Sequence, residues 1–308
     1  MDYERLIDEE TWGFIRRTAE SYPDDTVEMS IADQRRVYDA MCQDFRQPRP
    51  PGIEVRDRSA DGVAVRIYSA GDPTRTVVYI HGGGFVVGGL DSHDDVCAEL
   101  CAQTGYRIVS VDYRLCPEHV HPAQFQDSWT ATNWVVQEYG EPIVLAGDSA
   151  GGNLAAAVSH HGRSRLENVL GQVLIYPGLG GDMSQGSYIE HANAPLLTLD
   201  DIRFYETVRY QGTTPQNDPT YAPLHDVDFS GLPPTVVVTA DCDPLRDDSP
   251  AYRDRILEAG GKAHWINEPG LVHGYLRART TVERARASFE RIVVAIEALG
   301  QGIWPYDD

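Results

Sequence analysis

Ser149 stands in Gly147-Asp148-Ser149-Ala150-Gly151, a G-x-S-x-G string. Before it runs the apolar segment Pro142 to Ala146, and after it a helix-competent stretch from Asn153 to His160. Strand, sharp turn, then helix is the context a nucleophile elbow requires. The turn strains the serine backbone, and the flanking glycines let strand and helix approach each other. Ser149 Oγ is then expected at the C-terminal edge of a sheet, beside helix N–H groups that favour developing negative charge. An alcohol becomes a nucleophile only with a base beside it, and the base needs a group to orient it.

Open α/β sheets place their sites at the carboxyl ends of strands, so each candidate partner is tested by what it follows. Of ten histidines, His264 falls inside an expected strand, His119 and His121 flank an upstream loop, and His160 and His161 end a helix, where solvated cations are common. His273 follows the last expected strand directly. After the strand ending at Ala240 comes Asp241-Cys242-Asp243-Pro244. Asp243 is the candidate acid and Asp241 its competitor, while Asp247 and Asp248 suit the start of the next helix. The order Ser149, Asp243, His273 distinguishes one class of serine hydrolase from the others. A fourth element is His81-Gly82-Gly83-Gly84, directly after the strand Thr76 to Ile80. Its glycines leave backbone N–H groups uncovered, and with the N–H of Ala150 they suit a tetrahedral oxyanion.

The elements that must position these residues follow a regular rhythm. Ile53 to Arg58 and Val63 to Tyr68 flank Asp61-Gly62 and read as a hairpin. Strands are then expected at 76–80, 107–112, 143–146, 169–176, 235–240 and 263–267. Helices are expected at 91–103, 123–139, 153–161, 249–258 and 282–299. Such alternation predicts an α/β fold, a mostly parallel sheet covered by helices on both faces. Two stretches fall outside the rhythm: residues 1–50, with helical periodicity, and residues 178–214, glycine-rich and then helical from Leu199 to Tyr210. Both are placed to pack over the C-terminal edge of the sheet.

The chain has 308 residues and a net charge of −21. That balance argues against nucleic acid and against an anionic membrane surface as partners. Lys262 is the only lysine. The acidic start, Met1 to Glu10, lacks the apolar core of a secretory leader, and no apolar run approaches a membrane span. Five scattered cysteines suit free thiols in a reducing cytoplasm. His93, Cys97 and Cys101 recur every fourth residue on an expected helix. With no fourth ligand in view, they read as one half-buried helix face rather than a metal site.

Together, His81-Gly82-Gly83-Gly84-Phe85, Asp112 to Glu118, Gly147 to Gly152, Asp243 to Asp248 and His273-Gly274-Tyr275 make the chain resemble the hormone-sensitive-lipase-like bacterial esterases, in the branch with G-D-S-A-G. The resemblance runs from about residue 75 to residue 280. It implies an α/β-hydrolase fold, Ser149 as nucleophile, His273 as general base and Asp243 as the orienting acid. It implies Gly83, Gly84 and Ala150 as oxyanion donors, and residues 1–50 and 178–214 as a helical cap on a core of 51–177 and 215–308. Arg114 and Glu118 belong to a structural block and receive no chemistry. Cys116 departs from the small residue that many relatives carry.

The expected reaction is hydrolysis of short-chain carboxylic esters through an acyl-enzyme, on a small dissolved substrate and without cofactor or metal. Phe85, Tyr188 and Phe204 are the expected substrate contacts. Trp12, Phe14 and Tyr205 stay open between core and pocket, core being the commoner place for a helical aromatic. Two alternatives stand beside this reading: a catalytically silent ligand-binding protein on the same fold, and a hydrolase of lactones or peptides. A complete Ser149–His273–Asp243 set is something a silent receptor does not need.

Overall fold

The computed structural model describes residues 1–23, 25–166, 168–210, 212 and 215–306. Three helices open the chain: α1 (Tyr3–Leu6), α2 (Glu9–Ser21) and α3 (Ile31–Phe45). Asp8 caps α2 by accepting the Thr11 N–H, and Ser30 caps α3 through the N–H of Asp33. The linker after α3 is pinned to the body of the protein by Arg46 and Arg49, which converge on the buried Asp94 carboxylate.

Eight strands follow in one sheet: β1 (Glu54–Ala60), β2 (Val63–Ser69), β3 (Thr76–Ile80), β4 (Arg107–Asp112), β5 (Ile143–Asp148), β6 (Val169–Ile175), β7 (Thr235–Cys242) and β8 (Ala263–Val272). Their spatial order is β1-β2-β4-β3-β5-β6-β7-β8. The β1–β2 and β2–β4 pairs are antiparallel, and every later pair is parallel. Asp61 and Gly62 turn the first hairpin with φ of 50° and 97°. Positive φ at both central residues matches the right-handed twist of the flanking strands. The helices between strands are α4 (Asp94–Thr104), α5 (Ala123–Tyr139), α6 (Ala150–Gly162), α7 (Ser187–Glu190), α8 (Leu199–Arg209), α9 (Asp248–Glu258) and α10 (Glu283–Gly300).

The central strands are buried along their length. Val77, Val78 and Ile80 of β3, and Val236, Val237 and Val238 of β7, have no exposed surface. Helices on both faces explain why these strands read as continuous apolar runs rather than alternating ones. Each such side chain contributes roughly 1.5–3 kcal/mol on burial.

Two boundaries differ from the sequence reading in ways that matter. Helix α6 begins at Ala150, immediately after the serine, not at Asn153. The glycines at 151 and 152 have poor helix propensity, but packing overrides it. Strand β8 runs to Val272 instead of ending at Asn267, despite Pro269. Its register against β7 shifts between Ala240 and Cys242, so that two extra residues of β8 bulge out before Cys242 pairs with Val272.

Candidate active site

That bulge brings two loops together. Because Cys242 and Val272 are neighbours across the sheet, the next residues, Asp243 and His273, leave their strands side by side. Asp243 Oδ2 lies 2.7 Å from His273 Nδ1, and His273 Nε2 lies 2.9 Å from Ser149 Oγ. Asp243 is 1% exposed, and its other oxygen accepts the N–H of Leu245 at 2.9 Å. The ring of Tyr176 packs at a tilt against His273, with centroids 4.8 Å apart. The competing acid is committed elsewhere. Asp241 accepts from Asn267 Nδ2 at 2.8 Å and from the N–H of Gly270 at 3.3 Å, bracing the bulge of β8.

Ser149 sits at φ 53°, ψ −120°, a strained conformation for a residue with a side chain. Its N–H donates to the carbonyl of Ile175 at 2.8 Å. The elbow is so tight that a Cβ on Gly147 would lie 2.4 Å from the carbonyl oxygen of Gly151, and one on Gly151 would lie 1.9 Å from that of Ile80. The G-x-S-x-G spacing is therefore a packing requirement between β3, β5 and α6.

Beside the elbow, the His81 to Gly84 segment leaves β3, whose Ile80 pairs with Gly147. Gly83 and Gly84 have φ of 122° and 58°, and the Gly83 carbonyl accepts from both Val86 and Val87 N–H at 3.0 Å. Among the described residues, the N–H groups of Gly83, Gly84 and Ala150 have no acceptor in the chain. For Ala150 this follows from its place at the first turn of α6. The sequence reading missed the clamp that holds this segment. Asp148, the residue before the serine, accepts from the Gly82 N–H at 3.0 Å and the Tyr79 hydroxyl at 2.9 Å, and meets His93 Nε2 at 3.2 Å. Burial alone would raise the Asp148 carboxyl. The charge and hydrogen bond of His93 and the Tyr79 O–H overcome that and hold it well below the usual carboxylate range. The G-x-S-x-G string carried no signal for this role, because it leaves the position before the serine open.

Comparisons with known proteins bear on the fold and the family. A family model described as the α/β-hydrolase fold matches residues 77–277. The chain is 36% identical over 291 residues to a carboxylesterase (NlhH) of Mycobacterium tuberculosis, covering 88% of this chain and 91% of that one. It is 30% identical over 264 residues to an ethyl acetate hydrolase of Pseudomonas putida, covering 81% of each. The solved structure of a Pyrobaculum calidifontis esterase superimposes with a TM-score of 0.80 at 33% identity, over 89% of this chain and 94% of that one. The chain belongs to the α/β-hydrolase family, in its hormone-sensitive-lipase-like branch.

Within this α/β-hydrolase, Ser149 and His273 open onto a cavity of about 240 Å³. Tyr22 and Tyr38 from the N-terminal helices line it, as do Tyr188, Leu197 and Tyr205 from the stretch after β6. Phe85 and Tyr188 lie on its wall, though the Tyr188 hydroxyl is engaged by Asp248 at 3.0 Å. Phe204 does not line the cavity. The turn of α8 directs its neighbour Tyr205 there instead, so close that a Cβ on Gly84 would meet the Tyr205 ring at 2.5 Å. Of the other aromatics, Phe14 is core, packed edge-on against Phe45 at 5.3 Å, and Trp12 packs partly buried against that core.

Among the other polar residues, one departs from the sequence reading. His160 is not a solvated helix end: it is 4% exposed, bonded to Asp226 at 2.6 Å and Tyr252 at 2.9 Å. His93 turns to Asp148, while the Cys97 and Cys101 thiols are buried. Asp248 does begin α9, but its carboxylate faces the stretch after β6, where it takes the N–H groups of Leu179, Gly180 and Gly181. Burial pushes its carboxyl up to about 6 against those bonds. Arg114 is held by Asp127, and Glu118 by Arg35 of α3, which also donates to the carbonyls of Val86 and Cys116. No described helix is long and apolar enough to cross a membrane.

Proposed function

We propose that this chain hydrolyses carboxylic esters by a serine mechanism, with Ser149 as nucleophile, His273 as general base and Asp243 as its orienting acid. The observation that carries the reading is the unbroken hydrogen-bonded line from Asp243 through His273 to Ser149, ending on a cavity floor. His273 Nε2 takes the hydroxyl proton as Oγ attacks the ester carbonyl. Asp243 holds the proton on Nδ1, so that Nε2 is free to accept. The N–H groups of Gly83, Gly84 and Ala150 receive the oxyanion, where developing charge gains most from preset donors. His273 then protonates the leaving alcohol, the acyl-enzyme forms, and water repeats the cycle. Besides the ester, the cycle consumes only water.

Residues 1–50 and 178–214 form the cap in this reading, supported by their joint contribution to the cavity wall. The boundary at 214 falls outside the described residues. The cavity lies below the roughly 300–1,000 Å³ of typical ligand pockets, which supports acyl groups from acetyl to about hexanoyl. The test is kcat/KM across p-nitrophenyl acetate, butyrate, octanoate and palmitate, with the matching anilide and a triolein emulsion alongside. Short esters should lead, and the anilide should be nearly inert. Highest efficiency on palmitate, or a rate jump on emulsion droplets, would move the substrate to long-chain lipid. Turnover of none of these by a folded protein would favour a silent receptor.

A further inference from the structure

Arg209, in the last turn of α8, is the largest fully buried side chain of the protein and lines the cavity. The chain carries 47 acidic residues against 26 basic ones, so acids are not scarce. Even so, Arg209 forms no ion pair with a described residue. One of its nitrogens, Nη2, donates to Asn153 Oδ1 at 3.0 Å, while Nε is buried with no partner among the described residues. The largest opposite charge acting on it is that of Glu206, whose carboxylate accepts the Tyr221 hydroxyl and makes no ion pair with the guanidinium. Tyr113 and Cys116 also face it and supply no charge. A buried guanidinium left this open is costly, and the usual remedy is an anion.

The geometry also says how an anion would arrive. The guanidinium carbon lies 3.7 Å from the centroid of Phe85 and 4.2 Å from that of Tyr221. Both rings stack on its faces, so only its edge of N–H donors remains, the shape that takes a carboxylate in two parallel bonds. Phe85 directly follows the oxyanion glycines. Asn153 stands in the first turn of α6, where its N–H donates to the carbonyl of Ser149 at 3.1 Å. The cationic edge therefore sits one side chain away from both the nucleophile and the oxyanion loop. The chain's negative net charge repels anions at long range, but that field is screened beyond about 8 Å, so the selection is local.

We propose that Arg209 receives a carboxylate of the substrate, so that the preferred substrate is an ester bearing a carboxylate a few bonds from the reacting carbonyl. This rests on the ester-hydrolase reading and adds its substrate class. The experiment measures kcat/KM by pH-stat for monoethyl glutarate against ethyl pentanoate, which places the charge on the acyl side. Butyryl glycolate against propyl butyrate places it on the alcohol side. In the wild type, one anionic member should lead its neutral partner by about tenfold or more, the scale of a charge-assisted bidentate contact. Arg209→Met should bring that ratio to one or below, and Arg209→Lys should retain part of it. The ratio is internal to each variant, so general damage to the site cancels. Should Arg209→Met fail to fold, competitive inhibition of the wild type gives a second reading: glutarate should bind about tenfold tighter than glutaramide. Turnover of neutral esters with both ratios at or below one overturns this inference and leaves the ester-hydrolase reading standing. The same holds if the preference survives in a folded Arg209→Met protein. Absence of turnover on every ester overturns both.

Discussion

Replacing Asp243 by asparagine is the sharpest probe of the site, because the structure dictates how the new amide must sit. One oxygen of Asp243 accepts from the N–H of Leu245 and the other faces His273 Nδ1. An asparagine placed with its NH₂ toward Leu245 would set donor against donor in a buried site, a loss of about 1–3 kcal/mol. Its oxygen therefore stays on Leu245 and its NH₂ turns to His273. That NH₂ donates to Nδ1, which moves the imidazole proton onto Nε2, the nitrogen that must accept from Ser149. The substitution also removes a negative charge beside the imidazolium that forms during attack, worth about 4 kcal/mol at an effective dielectric of 20 and a 4 Å separation. Wrong tautomer and lost charge together predict a fall in kcat of about 10⁴, or about 5.5 kcal/mol. Asp241→Asn should cost less than about tenfold, since Asp241 braces β8 and does not touch His273. The assay is kcat on p-nitrophenyl butyrate for both variants, with near-ultraviolet circular dichroism to establish folding. A folded Asp243→Asn enzyme within tenfold of wild type, or a ranking with Asp241→Asn the more damaged, would refute the argument.

Four further substitutions have defined outcomes. Ser149→Ala should keep its fold and lose at least about 10⁴ in kcat, and residual activity within tenfold would remove the serine from the reaction. Gly151→Ala should destabilise by more than about 3 kcal/mol, because its Cβ meets the backbone oxygens of Ile80 and His81 at 1.9 and 2.6 Å. Gly13→Ala, inside α2 with open space around it, should instead stabilise by roughly 0.5–1 kcal/mol, so urea midpoints moving the same way would show that the elbow is not close-packed. His81 is buried, stacked on Tyr113, and keeps its proton on Nδ1 for the Gly82 carbonyl while Nε2 has no partner among the described residues. Burial, then the charge of His93, lowers its pKa to about 4. The unfolded chain therefore binds a proton near pH 6.5 that the native state refuses. Stability from this residue is present above about pH 6.5 and is lost as pH falls toward 4. His81→Phe should narrow the pH 7 to pH 5 stability gap by up to about 2 kcal/mol, and an unchanged gap would mean that His81 protonates freely.

The grouping of Ser149, Asp243 and His273 was legible in the chain because each of the three follows an apolar run, and the end of such a run in an alternating α/β pattern is the edge of a sheet. The hairpin at Asp61-Gly62 and the parallel central strands were legible for a similar reason: turn chemistry and burial on both faces leave local marks. His160 was misread because a helix-terminal histidine looks the same in sequence whether solvent or a later segment covers it, and here Asp226 and Tyr252 cover it. Phe204 was placed on the pocket wall and Tyr205 left undecided, since one residue along a helix turns the side chain by about 100° and nothing local says which direction is the cavity.

What the sequence alone determined, then, was the set of candidate groups and the order of the elements carrying them. Both depend on contacts within a few residues: a strand, a turn, a glycine where no Cβ fits. The tertiary structure decided which acid faces His273, because a register shift in β8 and a bond from Asp241 to Asn267 settle it. It also decided that Asp148 clamps the His81 to Gly84 segment, and that Arg209 is walled in by Phe85 and Tyr221 without an ion pair to a described residue. These partners lie tens of residues apart in the chain. Their pairing depends on how loops close over one another, and closure over such lengths leaves no periodic trace in the residues themselves.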